Sequence, residues 1–305
     1  MIPSPLVINM NKQLKGSILL LLATVIWGSA FIAQSVGMDH IGPFTFQAVR
    51  CALAVAFLFP VSAVLDMGKQ DGKTFLQRWL DPQLWKAGLI CGCALFVAAS
   101  LQQVGLVYTD AGKAGFITAM YIVLVPILGI FRAQKPPRII WFSVALAVVG
   151  LYLLSCLNAG QINKGDLLVL GCALAFAVQI TCIDIMGLSL DGVRLNCVQA
   201  LVVSLLSLPF VVFTETVDMA NLAACWLPLG FAGVLSMGVA YTLQIQGQKA
   251  LEPSTASLIM SLESVFAVLG GWLILKETMT GTELLGCGLV FAAVIISQLP
   301  SKTNK

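Results

Sequence analysis

Charge is scarce in this chain of 305 residues: Asp, Glu, Lys and Arg together make up 10%, against roughly 25% in an average soluble domain. No soluble fold of this size could hide so apolar a composition from water. Histidine is nearly absent, with His40 alone and no second ligand beside it. No His-Glu-x-x-His, Gly-x-Ser-x-Gly or phosphate-binding loop occurs, so the common membrane-enzyme chemistries lack their residues. The sequence therefore reads as no enzyme, with no metal, no ATP site and no redox cofactor. A net charge of +3 is too small to attract a polyanion, which excludes a nucleic-acid partner. Long polar stretches are missing too. Only the 65–83 connection is long enough to be a loop of its own, and no separate soluble domain is expected.

What is abundant is hydrophobic surface, at 59% of residues. Apolar runs fall at 17–37, 42–64, 84–106, 111–131, 138–155, 165–186, 193–213, 226–247, 254–274 and 281–299, most of them near the roughly 20 residues that a spanning helix needs. The expected fold is all-α and integral to a membrane, with ten transmembrane helices and the lipid bilayer as its surroundings. The nine cysteines lie mostly within these runs and read as small buried hydrophobes rather than metal ligands or disulfides. The first run follows Lys12 and Lys15 and is longer than a signal-peptide core, so it reads as a retained span. Residues 1–16 and 300–305 are left as tails.

Orientation follows from positive charge, which is retained on the cytoplasmic side. With the N-terminus inside, thirteen Lys and Arg residues fall on inner connections, among them Lys69, Lys73, Arg132, Arg194 and Lys249. Three fall outside, Lys113, Lys164 and Lys276, and Arg50 lies within a span. Both termini are expected in the cytoplasm, with the chain in the cell's inner (plasma) membrane.

Internal repetition is the most informative feature. A shift of 149 lays Gly16–Pro60 on Gly165–Pro209, pairing Trp27 with Phe176, Gln47 with Asn196 and Arg50 with Gln199. A shift of 142 pairs Gln102 with Gln244, Gly105 with Gly247, Ala114 with Ala256 and Ile117 with Ile259. The chain thus divides into five-helix repeats at 17–155 and 165–299. Five is odd, so the second repeat enters the membrane from the opposite side, as in the inverted repeats of secondary transporters, which place substrate near the bilayer midplane.

Several segments resemble a known family: Trp27-Gly28-Ser29; Gly105-Leu106-Val107-Tyr108-Thr109-Asp110-Ala111-Gly112-Lys113-Ala114-Gly115-Phe116; Leu262-Glu263-Ser264-Val265-Phe266-Ala267; and Leu275-Lys276-Glu277-Thr278 followed by Gly286. Together they resemble the drug/metabolite transporter superfamily, in its ten-span EamA-type branch. Ser264 stands where that family often has proline, and Gln134 stands near the first-half position where a glutamate matching Glu277 is common. The resemblance implies that helices one to four and six to nine surround a cavity, with the fifth and tenth outside. It also implies a small-molecule cargo, amino acids among the candidates.

Arg50 is the ninth residue of its expected helix, roughly 13 Å along it and near the middle of a hydrocarbon layer about 30 Å thick. Glu263, the tenth residue of a helix entering from the other side, has nearly the same depth. Two readings are open: Arg50 attracts a substrate carboxylate while Glu263 holds the arginine, binds an amine or carries a coupling proton, or the two form a structural ion pair between the second and ninth helices. Gln47, Gln102, Gln103, Asn196, Gln199 and Gln244 are candidate lining amides, and Trp27, Phe116, Tyr121 and Tyr241 candidate apolar walls. The expected function is alternating-access transport of a small metabolite such as an amino acid, with export favoured by family analogy. The alternative is a membrane receptor or assembly protein without turnover. The topology has a direct test: cysteines introduced beside Lys113 and Lys164 are expected to label from outside the cell, and labelling from the cytoplasmic side only would overturn the orientation.

Overall fold

A computed structural model describes residues 5–69, 72–155, 162–274 and 279–299. Cys156, Lys276, Glu277, Lys302 and Lys305 lie outside the described residues. Within them every regular element is helical. The long helices are α1 Pro5–Met38, α2 Pro43–Asp66, α3 Pro82–Gly105, α4 Ala111–Phe131, α5 Arg138–Ser155 and α6 Lys164–Gly187, followed by α7 Gly192–Thr214, α8 Trp226–Gln248, α9 (Pro253–Met260 with Leu262–Ile274) and α10 Gly281–Ser297. Eight helices are long and apolar enough to cross a membrane, while α5 and α10 are shorter apolar helices. Short helices at Phe75–Trp79 and Met219–Ala224 occupy two connections and were not expected from the apolar pattern.

Local chemistry sets the helix starts. Proline opens α2, α3 and the first part of α9, where its fixed φ suits the first turn and its missing N–H costs nothing. Asp81 and Asp191 accept backbone N–H groups at the starts of α3 and α7, and α6 and α10 carry capping boxes, Asn163 with Asp166 and Thr280 with Glu283. These side chains satisfy amides that would otherwise lack acceptors. α1 extends back to Pro5, taking Lys12 and Lys15 into the helix.

The burial pattern is inverted relative to a soluble protein. Phe131 and Phe213 are each 84% exposed, whereas Gln47, Gln103, Gln179, Asn196 and Gln199 are fully buried. Apolar side chains face outward and amides inward, as a bilayer solvent requires.

Packing occurs in matched sets. α1 packs on α8 and α9, α6 packs on α3 and α4, α2 lies along α7, and α5 lies against α10. The shifts of 149 and 142 carry the first set into the second. The crossings match in detail: a side-chain carbon at Gly247 would stand 3.0 Å from the carbonyl oxygen of Gly16, and one at Gly165 would stand 2.7 Å from that of Gly105. Only glycine admits such backbone approach. The ends of α2 and α7 are also matched. Glu215, at the end of α7, accepts from the backbone N–H groups of Phe44 and Thr45 at 2.8 Å each and from the Thr45 hydroxyl at 2.7 Å. Asp66 closes α2 and pairs with Arg194 near the start of α7. The shift of 149 takes Thr45 to Arg194 and Asp66 to Glu215. Arg194 is 2% exposed and lies 5.6 Å from the Trp79 ring centre, under the short Phe75–Trp79 helix. Lys69 joins the same cluster, bonding Asp191 at 2.8 Å. Burial raises the Asp191 carboxyl, but the Lys69 bond, the backbone N–H of Arg194 and the two cations outweigh it and hold the group below its ordinary value.

α4 and α9 are both broken, and at corresponding places. α4 is interrupted at Ala119–Met120 and α9 at Ser261. Three-residue hydrogen bonds replace the α pattern there, Met120 N–H to Ile117 O at 3.1 Å and Ser264 N–H to Ser261 O at 3.2 Å. The Ser264 hydroxyl donates to Gly115 O at 2.9 Å, tying α9 to α4 beside the breaks. α8 carries a π-helical stretch at Phe231–Ala240, an irregularity often found at functional sites.

The α5–α10 contact is another close crossing: a side-chain carbon at Gly286 would stand 2.6 Å from Gly150 O, whereas one at Gly288 meets nothing within 4 Å. Gly286→Ala should therefore destabilise by about 1–3 kcal/mol, while Gly288→Ala should be neutral or stabilising by up to about 1 kcal/mol. Thermal unfolding of the purified variants checks the contrast, and equal effects at the two positions would contradict the packing.

Candidate functional site

The interior polar side chains converge on one narrow cavity. α1, α2, α3, α4, α6, α8 and α9 all contribute to its wall. The lining again comes in matched pairs: Trp27 with Phe176, Phe31 with Ile180, Gln102 with Gln244, Thr118 with Met260, and Tyr121 with Glu263. The unmatched lining residues are Gln34, Arg50, Ser236 and Tyr241, from α1, α2 and α8. The frame is thus nearly two-fold and its polarity is not.

Arg50 is 5% exposed and Glu263 6% exposed, and both line the cavity. They form no ion pair within 4.0 Å, so the structural pairing considered from their shared depth does not occur. Each has a neutral partner instead. Arg50 Nη1 donates to Gln34 Oε1 at 2.6 Å, and its guanidinium lies 5.7 Å from the Phe46 ring centre. The hydroxyl of Tyr121 donates to Glu263 Oε1 at 3.1 Å. Gln34 is held in turn by its own helix, Nε2 donating to Ala30 O at 3.2 Å. Trp27 meets Tyr241 edge-on with ring centres 5.0 Å apart. Three buried polar atoms of lining residues find no partner in the protein: Trp27 Nε1, Arg50 Nε and Gln244 Oε1. Two are donors and one an acceptor.

Of the residues nominated from sequence, Trp27, Arg50, Gln102, Tyr121, Tyr241, Gln244 and Glu263 meet at this cavity, with Gln102 donating to Thr118 Oγ1 at 3.2 Å. The other five are not in its wall. Gln47 bonds Ser100 Oγ at 2.9 Å and Ser207 Oγ at 3.1 Å, holding α2 to α3 and α7. Its counterpart Asn196 bonds Met237 O at 2.8 Å, Gly238 O at 3.0 Å and Thr242 Oγ1 at 3.0 Å, holding α7 to the π-helical stretch of α8. Gln199 accepts from Gln179 at 3.2 Å, and Gln179 accepts from Gln244 at 3.3 Å, a chain of amides leading to the cavity. Gln103 is fully buried with neither amide atom partnered. Phe116 packs in the core. Gln34 is the main residue missed. Its signal was present, since Trp27, Phe31 and Gln34 share one helix face at i, i+4 and i+7. Asp184, near the end of α6, pairs with Arg132 at 2.9 Å.

The sequence matches the EamA-like transporter family twice, over residues 14–156 and 163–299. The chain belongs to the EamA-like transporter family. This EamA-like transporter is 35% identical over 292 residues to an uncharacterized transporter of Archaeoglobus fulgidus, covering 94% of this chain and 87% of that one. It is 28% identical over 287 residues to the threonine/homoserine exporter RhtA of Escherichia coli K12, covering 92% and 90%. A solved crystal structure shares the fold with a TM-score of 0.76 at 16% identity, over 93% of this chain and 96% of the other.

The two classes of amide should separate experimentally. Asn196→Ala removes the donor shared by Met237 O, Gly238 O and Thr242 Oγ1 and is expected to cost about 1–3 kcal/mol of stability while leaving the ranking of transported compounds unchanged. Gln244→Leu should shift that ranking with a smaller stability loss. Unfolding temperature and competition uptake, measured on both variants, give the comparison; selectivity changing only in Asn196→Ala would contradict it.

Proposed function

We propose that this EamA-like transporter moves a small zwitterion such as an amino acid by alternating access, across the inner membrane and in the direction of export. It does so as a ten-span inverted repeat with both termini in the cytoplasm. The observation that carries the reading is that Arg50 and Glu263 face one cavity and are each held by a neutral group rather than by each other. An unpaired charge at this depth costs at least about 2.5 kcal/mol, and a ligand carrying a carboxylate and an ammonium offsets both costs together. A bulky polycation would meet Arg50 unfavourably, and a nucleotide calls for more positive charge than one arginine supplies. Trp27, Phe31, Phe176, Tyr241 and Met260 leave an apolar wall for a side chain.

Several observations support the mechanism. The contacts, glycine crossings and helix ends all come in sets related by the two shifts, as an inverted repeat requires. The paired breaks in α4 and α9 adjoin Tyr121 and Glu263, and broken helices at a central site are a recurrent feature of secondary transporters. The RhtA relative bears the name of an amino-acid exporter, which favours cargo and direction alike. Glu263 is the mid-membrane carboxylate in the cavity and the candidate carrier of a coupling proton.

Proteoliposomes loaded with labelled threonine, homoserine and the other amino acids test the proposal, with and without a pH gradient. Saturable flux of at least one amino acid is expected. Arg50→Gln should reduce it by about 10-fold or more, the equivalent of one charge-assisted hydrogen bond. Glu263→Gln should abolish uphill accumulation and spare exchange. Absence of saturable flux for every amino acid would refute the cargo class, and flux indifferent to the gradient would remove proton coupling.

A further inference from the structure

The cavity holds a guanidinium whose closest protein partner is an amide. We infer that Gln34 is a specificity-determining residue: by orienting Arg50 without neutralising it, Gln34 leaves the cavity a full positive charge and selects a ligand that bears one carboxylate. This rests on the transport reading for its setting and adds the residue that sets the charge preference.

The argument begins from what a buried arginine in a membrane interior ordinarily requires. Its charge is costly there unless a carboxylate or water compensates it. No carboxylate among the described residues lies within 4.0 Å of Arg50, and the Nη1 hydrogen bond to Gln34 at 2.6 Å is the contact that fixes the guanidinium. Gln34 is itself 5% exposed and anchored at Ala30 O, so its carbonyl points at Arg50 and its amide group is occupied elsewhere. A glutamine accepts a hydrogen bond as a glutamate does but brings no charge. The positive charge therefore remains available to the cavity that Arg50 lines, and Arg50 Nε and Trp27 Nε1 are buried donors without protein acceptors. Repeat symmetry sharpens the point. The counterparts of Gln34 and Arg50 are Ile183 and Gln199, neither of which lines the cavity. The device exists on one side only, and it gives a nearly two-fold cage a single anion-binding wall.

Gln34→Glu is the decisive variant, because it keeps the size and the acceptor facing Arg50 while pairing Arg50 with a carboxylate, at the loss of the bond to Ala30 O. The experiment measures binding of amino acids and of the corresponding amino-acid carboxamides to purified protein, by ligand-dependent shift of the unfolding temperature. The carboxamide keeps the ammonium and side chain and lacks the anion. The parent should prefer at least one acid to its amide by about 10- to 100-fold, the range expected for one charge-assisted hydrogen bond. Gln34→Glu should lose that preference while still binding the amide, and Gln34→Asn, which keeps the partner neutral, should retain the preference with weaker affinity. A parent that binds acid and amide equally, or that binds no acid, overturns the inference, as does a Gln34→Glu protein that keeps the parental ratio. The outcomes separate this claim from the transport reading: preference for acids without flux would leave Gln34 in its role and refute transport of amino acids, while flux of an uncharged cargo would do the opposite.

Discussion

Inside a bilayer there is no water to complete an unfinished hydrogen bond, so each buried polar group must be satisfied by the protein or by what the protein binds. Much of this structure follows from that constraint. Gln47 and Asn196 are consumed in fastening helices to one another, at matched positions and with matched partners, Ser100 and Thr242. Asp66 and Glu215 perform the same task at opposite ends of the α2–α7 pair. Among the cavity-lining residues, Trp27 Nε1, Arg50 Nε and Gln244 Oε1 lack protein partners, and away from the cavity so do Gln47 Oε1, Asn196 Oδ1 and both amide atoms of Gln103.

The two mid-membrane charges make the same point more strongly. Opposite charges in low dielectric gain most by meeting, yet Arg50 and Glu263 are each turned to a neutral partner. A direct ion pair would have closed the cavity chemically as well as sterically. Separated, the two charges face a shared space whose lining comes largely in matched pairs, and the unmatched groups Gln34, Arg50, Ser236 and Tyr241 give that space a direction. A symmetric frame suits a machine that presents its site alternately to two sides, while an asymmetric lining lets a small ligand be held in one orientation.

Much of this was legible in the sequence, for physical reasons. Apolar runs separated by Gly-Pro, Asp-Pro and Glu-Pro junctions mark the helices, because proline at a first turn is a strong start signal. The repeat was visible because matched polar residues within apolar runs are too costly to recur by chance. Seven nominated residues meet at the cavity because polar groups at mid-depth have few places to go. Other features were not legible. The breaks at Ala119–Met120 and Ser261 lie in sequence with no glycine or proline at the interruption, and only tertiary contacts such as Ser264 to Gly115 distinguish them. Side-chain direction was equally hidden: Gln102 and Gln103 are neighbours, and helix phase alone sends one to the cavity and the other into packing. Shared depth placed Arg50 and Glu263 opposite each other, but depth is one coordinate and says nothing of the lateral gap that Gln34 and Tyr121 fill.

The central claim is that Arg50 and Glu263 are held apart to face a ligand. A double-mutant cycle with Arg50→Gln, Glu263→Gln and the double variant measures this most directly, using the unfolding temperature of ligand-free protein and, separately, the stabilisation conferred by an added amino acid, the proposed cargo. The account predicts additive effects on the ligand-free protein, within the roughly 0.5 kcal/mol expected of groups that share no partner, and strong coupling in the ligand-dependent shift. Strong coupling in the ligand-free protein, with additive effects on ligand stabilisation, would show that the two residues serve each other and not the cargo.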